Sequence, residues 1–516
     1  MPKPFYLTTA IDYTNGAPHI GHAYEKVLAD VIARFHRLKG EQVFFLTGVD
    51  QHGQKVQQSA EKAGVAPQQF VDGLTTEFVA LWEKLDVRYD IWAATTEPLH
   101  KKCVQGMLQR LYDEGQIYKD KQDGYYSIRQ EQFLTDKERG ADGEFGPEWG
   151  EVEHRVEENY YFRLAQHKDW LLDYLRAHPD CVTPDYRQVE LVNAVEKLSG
   201  DLCISRPKSR LSWGIELPFD RDYVNFVWFD ALTNYISFIG YDPSLSTFNS
   251  QPSTFLNKWP ALHIIGKDIL IPAHGIYWPI MLHALGFPDE QMPKFLVHGW
   301  WNISGAKMSK SLGNVVDPRA LAGRYSSAAL RYYLISDIVT GKDADFSEER
   351  LVGRFNSELA NSLGNLLNRA LTMIWKFGEG AVSKSSAGAP GEFQNFDSDP
   401  TAALSVALRL ADICNERIDS EKPWVLAKDP ARRAQLEALL YDLAESLRLI
   451  AILISPVVPS AAHGIFTQLN WKLEMSEQEN RFSLGEAEWG GLPAGHVVAR
   501  PSPLFPRIEK EVESGA

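Results

Sequence analysis

The chain has 516 residues, 44% of them hydrophobic and 23% charged, with a formal net charge of -15 at pH 7. This length provides two or three domains with sizeable cores, and the composition is that of an ordinary globular protein. The acidic balance excludes a surface that is basic throughout, but it neither implies nor excludes a local site for nucleic acid.

The chain carries no pattern that indicates export or membrane insertion. Its N-terminus, "MPKPFYLTTAIDY", has no basic segment followed by a long apolar one, so we predict no signal peptide. The most apolar later stretch, residues 447–458, contains Arg448 and Pro456 and is too short to cross a bilayer core of roughly 30 Å. The four cysteines are scattered without a C-x-x-C pair, which favours free thiols in a reducing compartment. We therefore expect a cytoplasmic protein with no membrane partner.

The first 50 residues predict a β-α-β unit. Phe5–Thr9 has the pattern of a short buried strand, and residues 16–18 form a turn. Apolar residues then recur at helical spacing over 27–38, Gly40 ends that helix, and residues 43–46 form a continuous apolar strand. The predicted fold class is therefore α/β with a doubly wound parallel sheet.

Ligands of such sheets bind beyond the carboxyl ends of the strands. His19 and His22 follow the first strand, and "TGVDQHG" at residues 47–53 follows the second. We therefore expect these side chains to share one crevice.

The later chain has three regions of different character. Residues 115–225 are rich in charged and aromatic stretches and are predicted to be an insertion. Strand-like patterns in "NFVWFDAL", "LHIIGKD" and "KFLVHGW" predict the second half of the sheet. From Glu349 onward the pattern is helical, notably at 357–375 and 436–454, and the Gly-, Ser- and Pro-rich residues 378–400 between the helices predict a flexible loop.

Two segments have the chemistry of a phosphate site. In "PHIGHAYE", imidazole N–H groups and Gly21 at a helix start would let a phosphate chain approach the helix N-terminus, although a capped helix start alone would also explain them. In "GAKMSKSLGN", residues 305–314, two lysines flanked by glycines could stabilise the charge on a leaving pyrophosphate, although a solvated basic loop is the simpler alternative. Their joint occurrence favours nucleotidyl transfer.

The motifs "HIGH" at 19–22 and "KMSKS" at 307–311 resemble those of the class I aminoacyl-tRNA synthetases. Further stretches, among them "FLTGVDQHG", "FVWFDALTNY", "HIIGKDIL", "YWPIML" and "EKPWVLAKD", resemble the methionine-specific members, and the resemblance covers nearly the whole chain. It implies a Rossmann-type catalytic sheet, an inserted connective domain and an α-helical C-terminal anticodon-binding domain. The boundaries we expect are 1–114 and 226–300 for the two catalytic halves, 115–225 for the insertion with a zinc-free knuckle, 301–348 for the KMSKS loop and stem-contact region, 349–475 for the anticodon-binding domain, and 476–516 for a tail that packs back on the core.

The resemblance also implies a reaction, its partners and its residues. L-Methionine and ATP with Mg²⁺ would give methionyl-adenylate and pyrophosphate, and methionine would pass to the 3′-terminal adenosine of tRNA(Met), whose anticodon is CAU. The residues implied are His19, His22, Arg206, Lys307 and Lys310 for catalysis; Gly21, Glu25, Gly266, Asp268, Val297 and Lys310 for ATP; Ile11, Tyr13, Asp50, Trp228, Ala231, Tyr235 and His274 for methionine; and Asn365, Arg369 and Trp424 for the anticodon.

Several of these residues have a plainer explanation. Asp50 could cap the following helix, Asp268 could form a turn, and Trp424 could pack between helices. The segment before His274 is one residue longer than the family's usual spacing. Polarizable aromatic contacts do suit the methionine thioether, and a carboxylate suits its ammonium group.

We predict no metal in the insertion, although many relatives bind zinc there through a cysteine knuckle. Ser127, Gln130, Gly146 and Trp149 stand where the cysteines would be, and none of them is a zinc ligand. Aromatic packing would hold the knuckle instead, through Tyr125, Tyr126, Phe133, Phe145 and Trp149. The chain also ends without room for the dimerisation domain that some relatives carry, so we expect a monomer.

Three other functions fit the sequence less well. Isoleucyl, valyl and leucyl enzymes share both motifs but carry an editing insertion larger than residues 115–225. A small nucleotidylyltransferase would not need the helical C-terminal third. A tRNA-binding paralogue without catalysis would not need His19, His22 and Lys310.

Overall fold

The structure is a computed structural model that describes residues 3–128, 132–134, 136–140, 142–225, 228–308, 314–383, 399–473 and 482–509. The strands, numbered in chain order, are β1 Phe5–Thr9, β2 Asp12–Tyr13, β3 Val43–Asp50, β4 Ile91–Ala94, β5 Ile117–Ser127, β6 Gln132–Leu134, β7 Val152–Phe162, β8 Val182–Thr183, β9 Leu202–Cys203, β10 Ser205–Pro207, β11 Ile215–Glu216, β12 Tyr223–Asn225, β13 Ala261–Gly266, β14 Lys294–His298, β15 Trp301–Ile303, β16 Ala306–Lys307, β17 Ala344–Asp345, β18 Ala381–Val382 and β19 His496–Val497. The α-helices are α1 Ile20–Leu38, α2 Gln54–Ala63, α3 Pro67–Lys84, α4 Pro98–Asp113, α5 Lys168–Ala177, α6 Asp185–Glu196, α7 Trp228–Ser237, α8 Ser253–Leu256, α9 Lys267–Ile269, α10 Trp278–Ala284, α11 Pro318–Tyr325, α12 Ser327–Ser336, α13 Glu348–Arg354, α14 Asn365–Gly378, α15 Pro400–Glu421, α16 Pro423–Leu426, α17 Arg433–Ile454 and α18 Pro459–Gln468.

A parallel sheet with helices on both faces forms the centre of the N-terminal region. Its strands run in the order β2-β3-β1-β13-β14-β8, and β4 pairs with residues 46–49 of β3. The register of β1 against β3 places Phe5 opposite Val43, and α1 is the crossover between them. The predicted α/β class and the first β-α-β unit are confirmed, because strands covered on both faces need the continuous apolar runs seen in the sequence.

One predicted strand is wrong. The run "NFVWFDAL" was expected to be a strand of the parallel sheet, but it leaves β12 after Asn225 and becomes helix α7 from Trp228. Residues 229–237 of α7 are all buried. A continuous apolar run has no periodicity that separates a buried strand from a buried helix. The second half of the sheet comes instead from β13 and β14, where strands were also predicted.

The segment 115–225 builds a separate antiparallel sheet and also contributes to the main one. Strands β5 and β7 pair along their whole length, with β6 and β9 beside them. Strand β8 instead extends the main sheet, since Phe295 of β14 pairs with Val182. The predicted domain boundaries remain predictions, but this strand ties the insertion to the catalytic sheet.

Helices fill the region after Glu349, as predicted. They include α13, a wide π-type segment at Phe355–Gly364, α14, α15, α17 and α18. Their buried side chains form one core with those of α1, α3 and α12. Strand β19 pairs with β18, so residues near the C-terminus return to these helices. Most of the loop predicted at 378–400 lies outside the described residues.

Within the described ranges, none of the helices combines the length and the apolar character that crossing a membrane requires.

Candidate active site

A cavity of about 1020 Å³ lies beyond the carboxyl ends of the parallel strands. The chain lines it directly after β1, at the end of β3, and at the ends of β13 and β14. The predicted residues that line it are Ile11, Tyr13, His19, Gly21, His22, Glu25, Asp50, Arg206, Trp228, Ala231, Tyr235, Gly266, Asp268 and His274. Residues predicted for an amino acid and for a nucleotide thus share one space.

His19 and His22 form the N-terminal cap of α1. The Nδ1 atom of His19 accepts from the backbone N–H of Gly21 at 3.1 Å, and Nδ1 of His22 accepts from the backbone N–H of His19 at 3.1 Å. The two rings stack with centroids 3.8 Å apart. Because Nδ1 is the acceptor in each ring, the proton of each neutral imidazole lies on Nε2. Both rings therefore present an N–H donor beside a helix N-terminus, which favours an anion.

Gly21 leaves no room for a side chain within this cap. A Cβ atom at this position would lie 2.9 Å from Cε1 and 3.1 Å from Nδ1 of His19. Any larger residue would push the His19 ring away from the position in which it caps α1. Glycine is therefore needed for the geometry of the histidine pair.

Tyr235 and His274 make a buried hydrogen bond at the apolar end of the cavity. Nδ1 of His274 donates to the carbonyl of Ile269 at 2.9 Å, so its Nε2 accepts from the Tyr235 hydroxyl at 2.8 Å. Burial lowers the pKa of His274 to about 4, so the imidazole is neutral. The residues Leu270–Tyr277 are wound as a wide π-type turn, interrupted at Ile271. Such a turn accommodates one more residue than an α-helical turn, which matches the longer spacing seen before His274.

Asp50 ends β3 and lines the cavity as a buried carboxyl group. It accepts from the backbone N–H of His52 and from the Thr95 hydroxyl, each at a long 3.4 Å. Burial and the negative charge of Asp230 raise its pKa well above the usual range. A cationic ligand group would relieve both effects, so the cavity favours an ammonium ion here.

Three buried residues behind Asp50 were not predicted. Asp230 accepts from Nδ1 of His52 at 2.7 Å and from Nε2 of His100 at 2.8 Å. Although burial opposes its ionisation, the two imidazoles lower the pKa of Asp230 to about 2. The signal in the sequence was weak, because His52 and Asp230 are far apart along the chain and only the structure makes them neighbours.

The nucleotide side of the cavity combines Glu25, Gly266 and Asp268. Asp268 is exposed and accepts from the Trp300 indole N–H at 3.1 Å. A Cβ atom at Gly266 would lie 2.8 Å from Oδ1 of Asp268, so glycine allows this carboxylate its position. Glu25 is buried and its carboxylate oxygens bond to Lys26 and His298, neither of which was predicted.

For four residues predicted to act in catalysis or ATP binding, the described part of the structure shows no side chain that is directed at the cavity without a partner in the protein. Arg206 lines the cavity, but its guanidinium donates to Sγ of Cys203 at 3.0 Å and to the Ser205 carbonyl at 2.8 Å. Val297 is fully buried inside β14 and does not line the cavity, whereas its neighbour His298 does. The backbone of Lys307 ends β16, and Lys310 lies outside the described residues.

The three residues predicted for an anticodon lie in the helical region, away from the cavity. Asn365 is exposed and begins α14, and Arg369 follows one turn later on the same helix. Arg369 pairs with Asp419 of α15. Trp424 on α16 is 44% exposed, which is unusual for a ring whose role is to pack a core.

The tip of the β5–β7 hairpin is held by rings and arginines. The ring centroids of Tyr125 and Phe145 lie 5.4 Å apart. The guanidinium carbon of Arg139 lies 4.8 Å from the centroid of the Tyr125 ring and 4.3 Å from that of the Phe145 ring. Ser127 donates to the carbonyl of Trp149 at 2.5 Å. Gln130 and the side chain of Phe133 fall outside the described part. Among the described residues no cluster of three or more His, Cys, Asp or Glu side chains could hold a metal; the absence of zinc stays a prediction.

Comparison with known proteins identifies two matching family models. The model described as tRNA synthetases class I (M) matches residues 5–143 and 149–371, and the model described as the anticodon binding domain of methionyl tRNA ligase matches residues 402–515.

Curated relatives match over almost the whole chain. The chain is 41% identical to a methionine–tRNA ligase of Caldanaerobacter subterraneus subsp. tengcongensis, over 99% of this chain and 80% of the relative. It is 39% identical to that of Thermosynechococcus vestitus, over 98% of both chains. Among solved structures, Mycobacterium tuberculosis methionyl-tRNA synthetase in complex with methionyl-adenylate is 35% identical, with a TM-score of 0.85 over 98% of this chain and 100% of that chain.

Proposed function

The chain belongs to the class I methionyl-tRNA synthetases, and from this premise we propose which of its residues act at each step of the reaction. The enzyme activates L-methionine with ATP to methionyl-adenylate and pyrophosphate, and then transfers methionine to the 3′-terminal adenosine of tRNA(Met). The product supplies both initiation and elongation of translation.

Methionine binds with its ammonium group at Asp50 and its side chain toward Tyr235 and His274. The buried, poorly neutralised carboxyl of Asp50 supports the first contact. The neutral Tyr235–His274 pair supports the second, because it offers the thioether a polarizable surface without a charge. Ile11, Tyr13, Trp228 and Ala231 complete the pocket.

ATP binds with its phosphates at the start of α1. The Nε2–H groups of His19 and His22 donate to phosphate oxygens, and Gly21 allows the close approach. Arg206, Lys307 and Lys310 add positive charge as pyrophosphate leaves, so that catalysis is by positioning and electrostatic stabilisation. Mg²⁺ would bind together with the triphosphate, as is usual for this ion, and would neutralise part of its charge.

The ribose binds at Glu25, Gly266 and Asp268, with the adenine toward the end of β14, where His298 lines the cavity next to the buried Val297. The methionine carboxylate attacks the α-phosphorus in line and pyrophosphate leaves. The 2′-OH of the terminal tRNA adenosine then attacks the acyl carbon of the adenylate, and AMP leaves.

The CAU anticodon binds at Asn365, Arg369 and Trp424. The exposed indole of Trp424 supports stacking on an unpaired base. The catalytic halves are 1–114 and 226–300, and the anticodon-binding domain is 349–475. The enzyme is a zinc-free monomer that acts in the cytoplasm, where its four free cysteines remain reduced.

One observation carries the assignment of the site. A single cavity joins the histidine cap of α1 to the Asp50–Tyr235–His274 pocket. The test is ATP–pyrophosphate exchange measured with each amino acid in turn. We expect exchange with methionine alone at physiological concentrations, and exchange that is strongest with isoleucine or valine, or absent with all, would overturn the proposal.

A further inference from the structure

A buried cluster of four ionisable side chains lies under the nucleotide side of the cavity. It consists of Asp12 on β2, Glu25 and Lys26 on α1, and His298 at the end of β14, and we call it the Lys26 cluster. All four are buried, with relative exposures from 0% to 7%. Burying charges this deeply is costly unless they are paired, so the arrangement of the pairs is informative.

Lys26 uses all three of its ammonium protons. Nζ donates to the carbonyl of Ala10 at 2.8 Å, to Oδ1 of Asp12 at 2.9 Å and to Oε1 of Glu25 at 2.9 Å. An ammonium group has three donors, so its direction is fixed. It therefore fixes one oxygen of Glu25.

His298 fixes the other oxygen of Glu25. Its Nδ1 lies 2.8 Å from the carbonyl of Gly299, and its Nε2 lies 3.1 Å from Oε2 of Glu25. A carbonyl cannot donate, and burial alone would raise the pKa of Glu25, but Lys26 and His298 lower it below the usual range. Nδ1 therefore donates to the carbonyl, and Nε2 faces Oε2 of Glu25 as the second contact of the ring.

The two carboxyl groups of the cluster are not equivalent. Burial raises the pKa of Asp12 to about 7, whereas the pKa of Glu25 is lowered. The second oxygen of Asp12 has no hydrogen-bond partner in the described part of the chain. When a shared cation serves two carboxyls with different environments, the one with the lower pKa keeps the charge. Glu25 is thus the ionised acceptor at neutral pH.

We propose that Lys26 is a positioning residue for the nucleotide: together with His298 it holds the Glu25 carboxylate at a fixed orientation from which it accepts a hydrogen bond from a ribose hydroxyl, and Asp12 accepts from a second Lys26 N–H and so fixes the direction of the ammonium group. The inference rests on the ribose contact of Glu25 in the proposed function. Lys26 itself need not touch ATP, since its three donors are already used by the protein.

The test compares ATP with 2′-deoxy-ATP and 3′-deoxy-ATP in methionine-dependent pyrophosphate exchange. The quantity measured is the ratio of kcat/KM for ATP to that for each deoxynucleotide. The loss of a hydrogen bond to a charged acceptor lowers kcat/KM about 10- to 100-fold. Glu25→Gln shows which of the two ratios depends on Glu25, and thus which ribose hydroxyl it contacts. We expect Lys26→Met to lower that same ratio about 10-fold or more. The ratio for the other deoxynucleotide should stay unchanged. Lys26→Arg should restore part of the effect.

Lys26→Met leaves the buried carboxyl groups of Asp12 and Glu25 without the ammonium group that they share, which could unfold the protein. The double variant Asp12→Asn/Lys26→Met removes the second carboxyl group together with the ammonium group, and the contact between Glu25 and His298 remains. It should fold and should show the same loss of discrimination. Arg448→Met is the matched control, because Arg448 is equally buried beside Glu445 but lies in α17, which does not line the cavity; both ratios should stay at wild-type values.

The two possible failures can be told apart. If Glu25→Gln lowers a ratio but neither Lys26 variant does, Lys26 is only structural and this inference is overturned. If Glu25→Gln changes neither ratio, the ribose contact itself is wrong and the inference falls with it. Exchange that depends on methionine would still support the remainder of the proposed function in both cases.

Discussion

The Nδ1 atom of His22 accepts a hydrogen bond from the backbone N–H of His19 at 3.1 Å, and the His19 ring stacks on that of His22. Each histidine thus caps the helix through Nδ1, which leaves the ring proton on Nε2, and both residues line the cavity. The capped helix start and the phosphate site, which the sequence offers as alternatives, are compatible in this geometry, because they use different ring atoms.

This division of roles can be tested with two substitutions of His22. His22→Asn keeps an acceptor near Nδ1 but has no donor that reaches as far as Nε2, so we expect about a 100-fold loss in the rate of adenylate formation with little change in thermal stability. His22→Gln places its amide N–H near Nε2 but weakens the cap, so it should be less stable and more active than the Asn variant. The rates are measured by single-turnover adenylate formation. Equal activity of the two variants would contradict the assigned donor.

A second prediction concerns His274 and the stability of the fold toward acid. An imidazole titrates near pH 6.5 in an unfolded chain, and burial lowers the pKa of His274 to about 4 in the folded protein. Between these values only the unfolded chain binds the proton, so acidification lowers the free energy of unfolding. Through His274, the free energy of unfolding is about 2 kcal/mol lower at pH 5 than at pH 7.5.

Urea unfolding of His274→Gln at these two pH values measures the effect. In the wild-type protein the free energy of unfolding falls between pH 7.5 and pH 5, and in the variant this fall should be smaller by about 2 kcal/mol. His154→Gln is the control, because His154 is an exposed histidine, and it should keep the wild-type difference. A wild-type pH dependence in His274→Gln would mean that His274 titrates normally in the folded state.

Local patterns in the sequence predicted a large part of the fold. The amphipathic spacing of α1 and the apolar run of β3 predicted the first β-α-β unit, and the carboxyl ends of those strands predicted where the cavity lies. Contacts between distant residues could not be predicted in this way. Lys26 carries no signal that it pairs with Asp12, and His52 carries none that it bonds to Asp230, because neither pair has a fixed spacing. Helix α7 was missed for another reason: its side chains are buried on every face.

The third prediction concerns Lys310. If this lysine stabilises charge that develops on the leaving pyrophosphate, Lys310→Ala should slow adenylate formation about 100-fold or more and change the dissociation constant of methionine little. Lys428→Ala removes an exposed lysine in the helical region and should leave both quantities unchanged. Pre-steady-state measurement separates binding from chemistry. A wild-type rate in Lys310→Ala would exclude this role.

The fourth prediction concerns Trp424 and tRNA. Stacking of a base on an aromatic ring contributes roughly 1–3 kcal/mol, so Trp424→Ala should raise the apparent KM for tRNA about 5- to 100-fold and leave adenylate formation intact. Val425→Ala is a matched control, because Val425 lies on the same helix and is also 44% exposed, but it has no ring to stack. Equal damage to aminoacylation and adenylate formation in Trp424→Ala would instead indicate that the indole packs the helices.

The last prediction is that the hairpin tip between β5 and β7 needs no zinc. Structural zinc is usually held by four thiolate or imidazole ligands, and Ser127 and Trp149, which stand where the family resemblance would place two of them, are not such ligands. The adjacent, mutually tilted Tyr125 and Phe145 rings, with the Arg139 guanidinium over them, supply packing in that region. Elemental analysis of protein purified without chelators should find no stoichiometric zinc. Treatment with EDTA, followed by removal of the EDTA and addition of Mg²⁺, should change neither adenylate formation nor the sensitivity of this hairpin to protease. Phe145→Ala should increase that sensitivity, since it removes the ring shared by Tyr125 and Arg139. About one zinc per chain, lost together with the order of the hairpin when EDTA is added, would show that metal ligands hold this tip in place of aromatic packing.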